Sequence, residues 1–265
     1  MKGEWKMTNK TDAEILEIIN KSFNAMMDTV ECIIDPFNPI RAMIVSGAAG
    51  VGKSFNLIQR LEAAQDNMEC SYHKISGKIT PLGLYKVLHE SSHLGSVLLL
   101  DDADVFSEEG TLDLLKAALD STKTRTVSYI TNSPALQKEG IPNQIEYYGK
   151  IIFITNKNFT KVLKGTSKMK EHVRALITRA TFIDLHLHDN RSIMLQIEQV
   201  MNKSNIMTQY GLSTEQCNDA LMFMKNNVQR LMEPSLRMAV EIAGFMLAYP
   251  ETWRNLAEVN CLWPE

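Results

Sequence analysis

The chain has 265 residues, which at about 150 residues per domain leaves room for one large domain and one small one. With 45% hydrophobic and 22% charged residues, and only 13 glycines and 8 prolines, its composition is that of a globular protein with a real core, excluding disordered, collagen-like and low-complexity classes. The 28 Lys and Arg against 31 Asp and Glu leave a net charge of −3, so any polyanion site has to be a concentrated one.

Thr11 followed by Glu14 is a capping-box pattern, and apolar residues from Ile15 to Ile34 recur at helical spacing, which predicts a helix over 12–34. Asp35-Pro36 and Asn38-Pro39 stop it, and Ala42–Val45 reads as a strand buried on both faces. Helices at 53–66, 81–90 and 110–120 then alternate with strands at 70–75 and 97–100. Arg125–Thr131 and Gln144–Tyr148 suit the arms of a hairpin, followed by a strand at Ile151–Thr155, a helix near 168–178 and a last strand at 181–185. Beyond residue 189 only helical patterns remain, at 190–203, 213–231, 234–248 and 250–258. The expected organisation is an N-terminal helix over 1–38, an α/β core over 39–188 with a five-stranded parallel sheet between helices, and a small all-helical domain over 189–265.

GAAGVGKS at 47–54 follows a strand and opens a helix, the context that separates a phosphate-binding loop from a chance match. Gly47, Gly50 and Gly52 let the backbone N–H groups wrap around phosphates, Lys53 neutralises β/γ-phosphate charge, and Ser54 suits Mg²⁺. VLLLDDAD at 97–104 is an apolar strand ending in acids; Asp101 suits a ligand of Mg²⁺ or its water, and Asp102 suits the group that polarises the attacking water. The strand IIFITN at 151–156 ends at Asn156, which reads either as a water-positioning group or as an ordinary turn residue. In HVRALITRATFIDL at 172–185, Arg179 sits immediately before the last strand, where it suits a cation reaching a neighbouring subunit's nucleotide; Arg174 competes for that role. Arg237 stands in the first turn of a helix, where a cation opposes the helix dipole, a placement that either answers an anionic ligand or is merely solvated.

Taken in order, these motifs resemble the AAA+ ATPases: GAAGVGKS as Walker A, LLLDD as Walker B, Asn156 as sensor 1, Arg179 as the box-VII-like arginine and Arg237 as sensor 2. The phrases SGKITPLGLY, LLKAALD and EYYGKIIFITN look more particularly like uncharacterised phage-encoded members. The resemblance implies a P-loop NTPase fold with a helical lid, ATP and Mg²⁺ as cofactors, and ATP hydrolysis at subunit interfaces. It implies a nucleotide-binding set of Gly47, Gly50, Val51, Gly52, Lys53, Ser54 and Phe55, and a homo-oligomeric ring or spiral, as a hexamer. One departure stands out, because the family usually ends Walker B in Asp-Glu and this chain has Asp101-Asp102.

The same resemblance puts the loop after the second strand, SGKITP, at a central pore, making Lys78 and Ile79 polymer contacts, against the plainer reading of a helix-entry turn. The hairpin with Lys138 near its tip reads either as a second pore element or as simple sheet decoration. Over 156–174, Lys157, Lys161, Lys164, Lys168, Lys170 and Arg174 stand against Glu171 alone, a local basic patch that suits DNA or RNA backbone or is a solvated loop. The expected activity is on nucleic acid, with a protein client or a slow-turnover scaffold as the other readings. The four cysteines Cys32, Cys70, Cys217 and Cys261 show neither a zinc-ligand pattern nor a disulfide framework, and no apolar run is long enough to span a membrane. A cytoplasmic protein without a membrane partner is expected.

Overall fold

The computed structural model describes residues 10–102, 105, 108–165 and 169–264. They group into two compact units: a sheet unit of Phe23–Ser46 and Lys53–Leu185, and a helical unit of the residues up to Ser22, the loop Gly47–Gly52 and the chain from His186 onward.

The first helix, α1 (Asp12–Ile34), begins in the capping box that the sequence predicts: the Thr11 backbone N–H donates to Glu14 Oε2 at 2.7 Å and the Glu14 N–H to Thr11 Oγ1 at 3.3 Å. The Thr11 N–H holds the Glu14 carboxyl below its ordinary range. In the sheet unit there follow β1 (Ala42–Ser46), α2 (Lys53–Asp66), β2 (Ser71–Ser76), α3 (Pro81–Glu90), β3 (Ser96–Asp101) and α4 (Glu109–Ala118). Next come β4 (Thr126–Ser128), α5 (Pro134–Lys138), β5 (Gln144–Glu146), β6 (Lys150–Thr155), α6 (Phe159–Lys164), α7 (Met169–Ile177) and β7 (Thr181–Asp184).

Five strands form one parallel sheet in the order β2-β3-β6-β1-β7. The central strands β1, β3 and β6 are buried almost throughout, as continuous apolar runs in a parallel sheet must be. Alternation sends Ala42, Ile44, Leu98, Leu100, Ile151 and Phe153 into the core shared with α3, α4 and α7. The intervening Met43, Val45, Leu99 and Ile152 point to the opposite face and are also fully buried, as are Leu57 and Leu61 of α2. β4 and β5 form the expected antiparallel hairpin, which leans on α3 through stacked Tyr85 and Tyr129 rings 5.5 Å apart. The sequence reading missed α5 and α6, of five and six residues, because neither is long enough to show a helical period.

Lys150 solves a local problem at the end of α1. The last turn of that helix carries no basic residue for its unpaired carbonyls. Lys150, only 5% exposed, points its ammonium at Cys32 O (3.0 Å), Asp35 O (2.5 Å) and Asn38 O (2.9 Å). Burial pulls its pKa below the ordinary lysine value.

The helical unit contains α8 (Asn190–Lys203), a short 3₁₀ turn at Thr208–Tyr210, α9 (Thr214–Asn226), α10 (Leu236–Ala248) and α11 (Trp253–Cys261). Asp189 caps α8, Ser213 and Gln216 form a second capping box on α9, and Ser235 caps α10. The helix expected to reach residue 231 ends at Asn226, because Asn227 turns back on Phe223 O at 2.9 Å and Leu231 bridges to Leu262. Asn20 and Gln199 exchange amide hydrogen bonds of 3.1 and 2.7 Å, tying the start of α1 to α8. Among the described residues no helix is long and apolar enough to cross a membrane.

Replacing Lys150 with Met leaves three carbonyls without their cation, and equilibrium denaturation should show a loss of about 1–3 kcal/mol.

Candidate active site

In a parallel sheet the carboxyl ends of all strands lie along one edge, and register determines which residues meet there. Ser46 of β1 pairs with Thr155 of β6, and Asp101 of β3 pairs with Ile154. The residues that follow, Lys53 after the loop, Asp102 and Asn156, therefore belong to one edge of one sheet.

A chain of hydrogen bonds joins them. Lys53, the first residue of α2 and only 4% exposed, donates to Asn156 Oδ1 at 2.7 Å. Asn156 Nδ2 in turn donates to Asp102 Oδ2 at 2.9 Å. Asp102 has φ +49°, a left-handed conformation that a short carboxylate residue tolerates better than most, and its N–H donates to Ile154 O at 3.0 Å. The left-handed turn takes the chain out of β3 immediately after Asp101 and presents Asp102 to solvent.

Asp101 occupies a second, adjacent arrangement. Ser54 Oγ donates to its Oδ1 at 2.8 Å, and the Lys74 ammonium lies 3.1 Å from its Oδ2. Lys74 was not singled out in the sequence. It is in β2 among apparently ordinary polar residues, and only the adjacency of β2 and β3, with alternation placing Lys74 and Asp101 on one face, brings it to the carboxylate. Tyr72, two residues earlier on the same face, has a buried hydroxyl without a hydrogen-bond partner among the described residues. Burial first, then Glu62 and Asp101, push its pKa up to about 12, so it is a neutral phenol at physiological pH.

Ser54 and Asp101 are the residues that would hold Mg²⁺. The described residues contain no group of three or more His, Cys, Asp or Glu able to hold a metal by themselves.

The loop Gly47–Gly52 is described within the helical unit. Gly50 has φ +63° and Gly52 φ +93°, both accessible to glycine at little cost. Gly50 is constrained twice, because a Cβ there would lie 2.6 Å from Ser235 Cβ, and its carbonyl accepts from Leu236 N–H at 2.7 Å. The start of α10 is thus seated on the loop, and Arg237 is exposed in that first turn. Gly47 is buried, as is the Val51 side chain, which leaves Val51 only its backbone to offer a ligand; Phe55 is 70% exposed.

Arg179 belongs to the other edge of the sheet. It follows α7, donates from Nη1 to Ala175 O at 2.9 Å and precedes β7. It lines a cavity of about 600 Å³ with Arg41, Leu119 and Thr181. Arg41 Nη1 donates to Asp120 O and, at 2.9 Å, to Thr122 O. The Asp120 carboxyl is held below its ordinary range, first by the Thr122 N–H and then with help from Arg179 and Arg41. Arg174 is exposed within α7 and does not line this cavity.

The expected polymer contacts divide. Lys78 is exposed, but Ile79 is only 8% exposed and packs in the core with Leu84 and Tyr85, so pairing it with Lys78 as a surface contact is corrected. The correction has a simple cause: Thr80 caps α3 through Gly83 N–H at 3.1 Å, and this cap turns the preceding residue inward. Lys138 is exposed, but as the last residue of α5 rather than in a simple hairpin tip. Lys164 is exposed at the end of α6; the side chain of Lys161 and the whole of Lys168 lie outside the described residues.

No protein-family model matches the chain. It is 41% identical over 239 residues to the 36.7 kDa protein of the nrdC–mobD intergenic region of Enterobacteria phage T4, itself described as uncharacterized, and the match covers 90% of this chain and 73% of that protein. Among solved structures, NtrX from Brucella abortus in complex with ATP aligns with a TM-score of 0.53 at 16% identity, over 86% of this chain and 49% of that one. NtrX in complex with ADP aligns with a TM-score of 0.53 at 16% identity, over 88% and 50%. The chain therefore spans about half the length of the NtrX chains, and at this identity the likeness is one of fold. With the five-stranded parallel sheet and the helices that follow it, the chain belongs to the family of the phage T4 36.7 kDa protein and has the fold of the AAA+ ATPases.

Proposed function

We propose that the chain is an ATPase that binds ATP with Mg²⁺ at the Gly47–Ser54 loop, hydrolyses it, and works as a homo-oligomer on nucleic acid. The observation that carries this reading is the convergence of Lys53, Asn156 and Asp102, with Ser54 and Asp101 beside them, on one sheet edge. A bound triphosphate offers Lys53 a stronger acceptor than the Asn156 amide, because a charge-assisted bond to phosphate outweighs one to a neutral carbonyl. Asn156, released by Lys53, is free to orient a water. Asp102 accepts that water's proton as its oxygen bonds to the γ-phosphorus, and the bond to the ADP oxygen breaks. Ser54 and Asp101 would hold Mg²⁺, which would supply neutralisation of the phosphate charge.

The location of Arg179 supports an oligomer. It stands before the first residue of β7, whereas Asp101 and Asn156 stand at the ends of their strands. At about 3.3 Å per residue, a four- to six-residue strand separates the two edges by about 13–20 Å, too far for Arg179 to serve the nucleotide of its own chain. That separation supports the reading in which Arg179 serves the nucleotide of a neighbouring copy. Arg237, at the start of the helix seated on the phosphate loop, suits a contact to nucleotide from the lid helices. Lys78, Lys138 and Lys164 are the exposed cations that support a polymer track, DNA or RNA. A slow, ATP-bound scaffold is the second reading, favoured by the Asp102 carboxylate, one methylene shorter than Glu and tied to Asn156.

Steady-state ATP hydrolysis measured with and without single-stranded DNA, duplex DNA and RNA, at low and physiological salt, tests this proposal. Stimulation by one polymer that weakens with salt is expected; turnover indifferent to all three points to a protein client, and tight ATP binding without turnover points to the scaffold. Lys53→Ala should abolish ATP binding in calorimetry, and unchanged affinity contradicts the loop assignment. Arg179→Ala should keep ATP binding while losing turnover by about 10³-fold or more, and mixing it with Lys53→Ala chains should restore part of the activity. Neutralising Lys78, Lys138 and Lys164 together should flatten the salt dependence of polymer affinity, by a slope change of up to about one per phosphate contact removed.

A further inference from the structure

Resting on the proposed ATP·Mg²⁺ site, we infer that Lys74 is a built-in counter-ion of Asp101 that competes with the divalent cation and sets how strongly Mg²⁺ tightens nucleotide binding. Both oxygens of the Asp101 carboxylate are engaged: Oδ1 accepts from the Ser54 hydroxyl at 2.8 Å and Oδ2 faces the Lys74 ammonium at 3.1 Å. The carboxylate is 13% exposed, so it has little access to solvating water. It also directly precedes a second acid, Asp102, whose own carboxylate is tied to Asn156. An ammonium on Oδ2 holds the Asp101 carboxylate in place without a metal.

The same contact carries a cost once a dication arrives. A monovalent cation on the carboxylate repels the divalent one and occupies an oxygen that the metal or its water requires. Lys74 is able to withdraw: β2 is at the edge of the sheet, the side chain is 38% exposed, and a four-carbon stem lets the ammonium turn to solvent. Arginine retains the charge at this position, whereas glutamine removes it.

The test is the affinity of a fluorescent ATP analogue for the full chain, measured in EDTA and in saturating Mg²⁺, for the wild type, Lys74→Gln and Lys74→Arg. By linkage, the ratio of the two dissociation constants measures the coupling between metal and nucleotide. For a partly exposed pair, Lys74→Gln should increase that ratio about two- to five-fold, and Lys74→Arg should leave it near the wild-type value. Lys74→Met replaces the glutamine variant if far-UV circular dichroism shows that the latter has lost its fold. An unchanged or smaller ratio in the neutral variant, with nucleotide still bound, overturns the role of Lys74 and leaves the ATP site standing. Failure of the wild type to bind the analogue in either condition overturns the ATP reading and the inference with it.

Discussion

The constraint on which the site depends is the burial of the Lys53 ammonium. A charge that is 4% exposed has to be met by polar groups held in place by structure. β6 supplies one through Asn156, and the end of β3 continues the line through Asp102. Those partners reach Lys53 only because β1, β3 and β6 are adjacent and parallel, and because every strand between them is apolar enough to be buried on both faces. The core and the polar edge are thus two consequences of the same sheet.

That edge is arranged as two linked carboxylate systems. Asp102 is connected through Asn156 to Lys53, so the three side chains share one hydrogen-bond line. Asp101 is engaged by Ser54 and Lys74, so its carboxylate is already paired within the protein alone. The left-handed turn at Asp102 is what separates them, sending two successive carboxylates to different partners. At the opposite edge, Arg41 and Arg179 line a separate cavity.

Much of this was legible in the residues. The capping box at Thr11 and Glu14, the buried runs of β1, β3 and β6, and the glycines and Lys53 of the loop are local signals, each set by a short stretch of chain. What was not legible depends on which strands become neighbours. Lys74 meets Asp101 only because β2 lies beside β3, and Lys150 reaches the end of α1 from a residue more than a hundred positions away. Ile79 shows the reverse error: its place beside Lys78 in a loop suggested exposure, but the Thr80 cap turns it into the core. Gly50 belongs to both classes, since its positive φ is a loop property while its close approach to Ser235 is a tertiary one.

The most direct test of the central claim is a crystal structure of the chain with a non-hydrolysable ATP analogue and Mg²⁺. The account predicts the triphosphate in the Gly47–Ser54 loop, with Lys53 transferred from Asn156 to a phosphate oxygen and the Asn156 amide turned toward the γ-phosphate. Nucleotide bound elsewhere, or bound in the loop with the Lys53–Asn156 hydrogen bond intact, would contradict it.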